Sequence, residues 1–153
     1  GLDRYYTITE NRKTIDTIEA YTHYKVETNK NSKGFRLPTE DEWEYAAKAG
    51  TQLEYSGSNN VDEVGWHEKN SNNKTNPVKG KKPNAWGFYD MSGNVEEWCE
   101  DNWNSDDAHI SADRVARGGS WGNDTSVLRS AYRDGSSPDL RNSILGFRVC
   151  RYI

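Results

Sequence analysis

Apolar and polar residues alternate weakly over 4–8 and again over 24–27, which predicts two strands joined by a polar stretch that reads as a long hairpin loop. One segment carries a firm helical signal. Thr39 and Glu42 make a capping box after Pro38, Trp43, Ala46 and Ala47 fall at i, i+3 and i+4, and Gly50 supplies a left-handed stop. Residues 56–82 are rich in Asn, Ser, Gly and Lys without a period, and read as loop held down by Trp66, Pro77 and Val78. Short strands are predicted over 95–99, 115–121, 128–133 and 146–152. No internal repeat occurs, and one domain over 1–153 is expected.

Composition changes this picture in one respect. Leu, Ile, Val and Phe make up 23 of 153 residues, below the rough 20% at which disorder becomes the default expectation. That expectation also needs a high net charge, and here it is only −4, with six Trp and nine Tyr. Large rings supply the burial that the missing aliphatics do not, so the chain reads as folded, held by aromatics and buried polar networks. No apolar run is long enough to span a membrane. The opening GLDRYY lacks the basic and apolar regions of a signal peptide. A pI near 5.4 argues against a nucleic-acid partner. Cys99 and Cys150 allow one disulfide at most, paired or reduced, and exclude a disulfide scaffold and a four-cysteine zinc site.

Charge is unevenly placed. Every Lys lies at or before Lys82 and every Glu at or before Glu100, whereas residues 101–153 carry seven Arg and seven Asp. A β-rich half that avoids good helix formers accounts for this at first sight.

Candidate chemistry is sparse. His23, His67 and His109 stand alone, without zinc or iron spacing. Ser120 satisfies G-x-S-x-G, but its flanks read as strand on both sides, which excludes a nucleophile elbow. Asp90, Glu96 and Glu97 bracket the turn 91–94, an arrangement open to a hard cation such as calcium or to an ordinary solvated turn. Arg117, Arg129, Arg133, Arg141 and Arg148 punctuate the last third, where a planar fork suits buried bidentate pairing. Between them lie small polar residues, either plain loops or a polar surface of the kind found in antibody combining sites.

The segments GFRLPTEDEWEYAAKAG (34–50), PNAWGFYDMSGNVEEWCED (83–101), RVARGGSW (114–121), LRSAYR (128–133) and GFRVCR (146–151) resemble the formylglycine-generating-enzyme, or sulfatase-modifying-factor, domain. The resemblance implies an α+β, C-type-lectin-like fold with a small mixed sheet and much irregular structure. Family domains are longer, so an N-terminally incomplete domain is expected. The enzymes of this family use a copper-bound cysteine pair on the loop after the GGS motif, and a related branch uses a histidine cluster on iron. The matching loop, 121–128, contains no Cys, and no His cluster is present, so neither copper nor iron is expected and no catalytic residue is assigned. The family's calcium site carries over to Asp90 and Glu97 by side chain and to Gly93 and Val95 by carbonyl, with Glu96 on the opposite side of an alternating strand.

A further branch of this fold comprises variable proteins diversified by retroelements, treponemal surface lipoproteins among them, and the C-terminal pattern resembles theirs. It runs R-G-G-S-W from Arg117, then R-S-A-x-R through Ser130, then Pro138, Asp139 and Arg141, and ends in G-F-R at Arg148. Adenine-directed mutation of Asn codons cannot reach Lys, Glu, Gln, Met or Trp, and residues 122–149 contain none of them. The resemblance makes 117–148 a variable ligand-binding region. Its displayed positions would be Gly122, Asn123, Asp124, Val127, Tyr132, Asp134, Gly135, Ser136, Ser137, Leu140, Asn142 and Ser143. Trp121, Leu128, Ala131, Phe147 and the five arginines would be frame, with Ile144 and Leu145 open between the two roles. The reading is a non-enzymatic binding protein on the cell surface or outside the cell, lipid-anchored through a segment absent here. Its ligand is unknown and expected to be a protein on another cell or host. The alternatives are an enzyme of the formylglycine-generating type and a structural lipoprotein of the same fold.

Overall fold

The computed structural model describes residues 3–11, 23–103 and 113–152, which fall into two units, 1–36 with 149–153 and 37–148. In the first unit, β1 (Tyr6–Asn11) and β2 (His23–Thr28) pair antiparallel, from Tyr6 opposite Thr28 to Asn11 opposite His23. Both predicted strands are present; β1 begins later than the alternation suggested and runs on through polar residues, because ladder bonds use the backbone whatever the side chain. The expected hairpin loop, 12–22, lies outside the described residues, as does His109. Arg36 and Cys150 exchange backbone hydrogen bonds of 3.0 and 2.8 Å. The Arg36 guanidinium lies 4.5 Å from the Tyr152 ring and 5.9 Å from that of Tyr5, so this unit is organised by cation–π contacts rather than an aliphatic core.

In the second unit, α1 (Glu40–Lys48) starts where the capping box predicts. Thr39 Oγ1 accepts from the Glu42 amide at 3.2 Å, and Glu42 accepts from the Thr39 amide at 2.9 Å. Ala49 takes the left-handed conformation that closes the helix, with Gly50 following at φ +76°. The helix turns Trp43 and Ala47 into a core completed by Met91, Cys99 and Val115. Burying a side chain of this size contributes about 1.5–3 kcal/mol, so a few such residues carry much of the unit. A second cluster joins Tyr55, Val61, Val64 and Leu128, with Val127 packed at its edge.

The sheet is β3 (Glu96–Asn102), β4 (Arg114–Arg117), β5 (Arg133–Ser136) and β6 (Leu145–Gly146), in the order β5-β4-β3-β6. The β3–β6 pair is parallel and the others antiparallel, giving the small mixed sheet expected. Three predicted strands need correction. The strand over 115–121 stops at Arg117, because Gly118 and Gly119 turn the chain at φ +93° and +64°. The segment 128–133 is not a strand: Thr125–Leu128 form a 3₁₀ helix capped by Asp124, and β5 begins only at Arg133. Residues 146–152 contribute just the end of β6 and an isolated bridge at Cys150.

The segment 56–82 contains one short helix, α2 (Val61–Val64), capped by Asn60. Its anchors are largely polar, contrary to expectation, and Val78 is 74% exposed. The Asn94 amide group accepts from the Asn76 amide at 2.9 Å and donates to the Asn76 carbonyl at 3.1 Å, standing in for a strand neighbour. Trp66 contributes through its backbone as well, accepting from the Asn94 amide at 2.9 Å. Asn84 likewise donates to the carbonyl of Ala46 at 2.7 Å and accepts from the amides of Trp86 and Phe88. Side-chain amides therefore replace regular structure, which explains why a stretch rich in Asn and Ser orders without a hydrophobic period.

Candidate functional site

The registers of β3, β4 and β5 divide the sheet into two faces. Glu97 pairs with Arg117 and Arg117 with Arg133; Val115 pairs with Gly135. With Cys99, these residues face α1. Trp98 pairs with Ala116 and Ala116 with Asp134, so Glu96, Trp98, Ala116, Asp134 and Ser136 occupy the opposite face, which extends towards Tyr132.

Three arginines clamp the helix side. The Arg117 side chain is fully buried; it bonds Glu44, lies 3.4 Å from Glu40, and donates to the carbonyls of Ser130, Ala131 and Tyr132 at 3.0, 3.3 and 2.7 Å. Arg133 grips both oxygens of Glu40 at 2.8 Å, while its guanidinium stacks 4.4 Å from the Trp103 ring. Arg148 pairs side-on with Glu97, which also accepts the Trp43 indole at 2.7 Å. Glu40 hydrogen bonds hold the Arg133 pKa up. Burial would raise the Glu44 carboxyl, but Lys48 and Arg117 together hold it below the usual range. Arg129 only reaches the Ser126 carbonyl at 2.8 Å. Arg141 is exposed, with no hydrogen bond or ion pair to a described residue. The acids Glu40 and Glu44 were missed as partners, although their i, i+4 spacing around Trp43 on the sole firm helix was a readable signal.

The frame assignments need two more corrections. Leu128 is buried and Trp121 donates to the Ser143 carbonyl at 3.1 Å, but Ala131 is exposed and Phe147 is 68% exposed. Ile144 accepts from the Glu96 amide at 2.8 Å and Leu145 pairs with Glu96, so both serve the sheet.

The displayed positions divide by geometry. Gly122, Asp124, Ser137, Leu140, Asn142 and Ser143 are exposed, and Tyr132, Asp134 and Ser136 are half-buried on or beside the outer face. Three do not stand on that surface. Asn123 accepts from the Ser120 amide at 2.8 Å and from its hydroxyl at 2.6 Å, locking the turn. Val127 packs into the second core cluster. Gly135 faces α1, where an added Cβ would lie 2.6 Å from the Trp103 ring.

The outer face carries the acids Glu96 and Asp134, with the exposed Arg114 opposite Ser136. Glu96 is 5% exposed, and among the described residues none hydrogen-bonds or ion-pairs with its carboxylate. Burial, and after it the charge of Asp134, push this carboxyl up to about 7. Burial followed by Asp134, Glu96 and Asp124 also raises Tyr132. Asp124 is held low by the hydroxyl and amide of Ser126. The sequence offers Glu96 as one of three acids bracketing the turn 91–94, and the resemblance turns it away from the cation; the register gives it this further neighbourhood.

Of the residues carried over for calcium, Glu97 and Asp90 both have protein partners for their carboxylates. Both Glu97 oxygens are taken by Arg148 and Trp43, and a guanidinium at that distance opposes a divalent cation. Asp90, at φ +56°, accepts from the Lys79 amide at 2.8 Å, and Gly93 donates its amide to the Gly118 carbonyl. Cys99 and Cys150 are not joined by a disulfide; Cys99 is buried, which pushes its pKa up to about 12. His67 is buried against Asp62 at 2.8 Å, a structural pair.

Residues 14–153 match the sulfatase-modifying factor enzyme 1-like domain. Treponema denticola variable protein 1 superposes with a TM-score of 0.75 at 43% identity, covering 84% of this chain and 51% of that one. Chaperone protein LppX of Paenibacillus barcinonensis is 35% identical over 178 aligned positions, covering 99% of this chain and 62% of LppX. Formylglycine-generating enzyme of Mus musculus is 35% identical over 143 positions, covering 75% of this chain and 38% of the enzyme. The chain thus spans less than two thirds of the length of these curated relatives. A mixed sheet of this topology, a domain match over nearly its whole length and these likenesses agree: the chain belongs to the sulfatase-modifying factor family and has the C-type-lectin-like fold of the formylglycine-generating type.

Proposed function

We propose that the chain is a non-enzymatic binding protein that presents a diversified surface, made by residues 122–143 and the outer face of the sheet, to a protein ligand on another cell or host. The observation that carries this reading is the division of labour in the last third. Arg117, Arg133 and Arg148 are tied to glutamates outside the variable stretch, while Gly122, Asp124, Ser137, Leu140, Asn142 and Ser143 between them are exposed. Such a frame tolerates exchange of the displayed residues without loss of the fold. Tyr132 is the anchor of the surface, because a ring concentrates contact area with few rotors to freeze. The likeness to a variable protein supports the reading. The absence of Cys from 121–128 and the buried, neutral thiol of Cys99 oppose oxidation by a cysteine pair.

The same reading places the protein at the cell surface, held by a lipid anchor. Among the described residues, no helix is long and apolar enough to cross a membrane. The formylglycine-generating relatives are named as enzymes, which makes turnover the competing outcome. The deciding experiment is sequencing of the neighbouring DNA across isolates, alongside oxygen uptake by the copper-loaded chain. A reverse-transcriptase gene, a near-repeat differing from codons 122–143 at adenines, and no uptake are expected. An invariant segment without such a repeat, or copper-dependent uptake, overturns the reading.

A further inference from the structure

Glu96 is a buried acid whose carboxylate has no hydrogen-bond or ion-pair partner among the described residues, on a face it shares with Asp134 and, further along, Arg114. Its neighbours in the chain are accounted for: Val95 packs beside Gly146, and Glu97 is consumed by Arg148. Its own oxygens are not, among the described residues. Strand alternation turns it away from the arginine clamp, onto the face of Asp134 and Tyr132, and Asp124 adds a further negative charge nearby. The cation that registers on Tyr132, Arg129, donates its Nε to the Ser126 carbonyl. A buried carboxylate is costly unless paired, and no described side chain pairs it. We infer that Glu96, with Asp134 and Tyr132, forms an acidic subsite on the display surface that takes a lysine or arginine side chain of the protein ligand. The inference rests on the display reading and names the chemistry of its ligand. A long cationic side chain fits because its apolar stem passes the Tyr132 ring while its head reaches a recessed acid. Glu96 lies outside the diversified stretch, whereas Asp134 and Tyr132 lie within it, so every variant of the surface would keep the Glu96 carboxylate while the variable neighbours would tune which cation it takes.

The test is selection of a random dodecapeptide library on the chain at pH 8, with the selected peptides titrated against Glu96→Gln, Asp134→Asn and Tyr132→Ala. Enrichment of Lys or Arg is expected, with affinity about tenfold or more weaker on Glu96→Gln and a matching loss when the peptide cation becomes norleucine. Thermal melting of each variant establishes that it is folded. Peptides that need Tyr132 yet show no cation enrichment, or bind Glu96→Gln unchanged, overturn the acidic subsite and leave the display reading standing. Selection that yields no peptide sensitive to substitution anywhere in 132–143 overturns both.

Discussion

Arg148 meets Glu97 side-on, donating from Nε and Nη2 to its two carboxylate oxygens, one of which also accepts the Trp43 indole. This pair joins the end of the chain's last family motif to the central strand and to the helix core. Removing one partner leaves a buried charge, so Arg148→Met is expected to cost about 3–5 kcal/mol in urea unfolding. Arg148→Lys recovers only part of that, since an ammonium lacks the fork. Millimolar calcium should leave the Tm of the native chain unchanged. A calcium-dependent rise would mean that Glu97 exchanges Arg148 for the ion.

Glu96 makes stability depend on pH in a direction unusual for a carboxylate. Its folded pKa, about 7, lies above its ordinary 4.5, so the native state holds the extra proton between these values. The contribution is therefore full below about 4.5 and is lost as pH rises through about 7. Between pH 5 and 8 the native chain should lose about 1–2 kcal/mol that Glu96→Gln retains. Parallel denaturant titrations at the two pH values measure the difference, and equal slopes for both chains would refute it.

Exchange of exposed display residues should be almost free. Ser137→Tyr, Leu140→Asn and Ser143→Arg are each expected within about 0.5 kcal/mol of the parent chain by thermal melting. Gly135→Val should cost about 2 kcal/mol or more, because the new side chain enters the space of Trp103. Asn123→Ala should cost about 1 kcal/mol through loss of the bonds to Ser120.

Thiol titration separates the cysteines. Cys99 is buried with its pKa pushed up to about 12, whereas Cys150 is half-buried. A disulfide reagent at pH 8 should label Cys150 in the native chain and Cys99 only after unfolding. Rapid native labelling of Cys99 would contradict its place beside Trp43 and Val115.

Local signals survived the passage to three dimensions where neighbours in sequence supply the interactions. The capping box at Thr39 and Glu42, the Trp43–Ala47 face and the left-handed exit are all complete within one helix, and each was legible. So was the bidentate role of Arg133 and Arg148, because the fork is a property of the residue itself, whereas Arg129 and Arg141 find no carboxylate among the described residues. The strand over 128–133 was misread because Leu128 and Tyr132 suggested alternation. Asp124 instead captures the Ser126 amide and winds a 3₁₀ turn that buries Leu128.

The sequence by itself determined the family, the helix, the presence of a mixed sheet and the class of residue that frames the last third. Only the tertiary structure decided which glutamates the arginines take, that Glu97 is spent on Arg148, and that Gly135 faces Trp103 rather than solvent. It also decided that Glu96 shares a face with Asp134. The reason is register: a strand's period of two makes facing depend on which residue pairs with which, and partners far apart in sequence set that pairing.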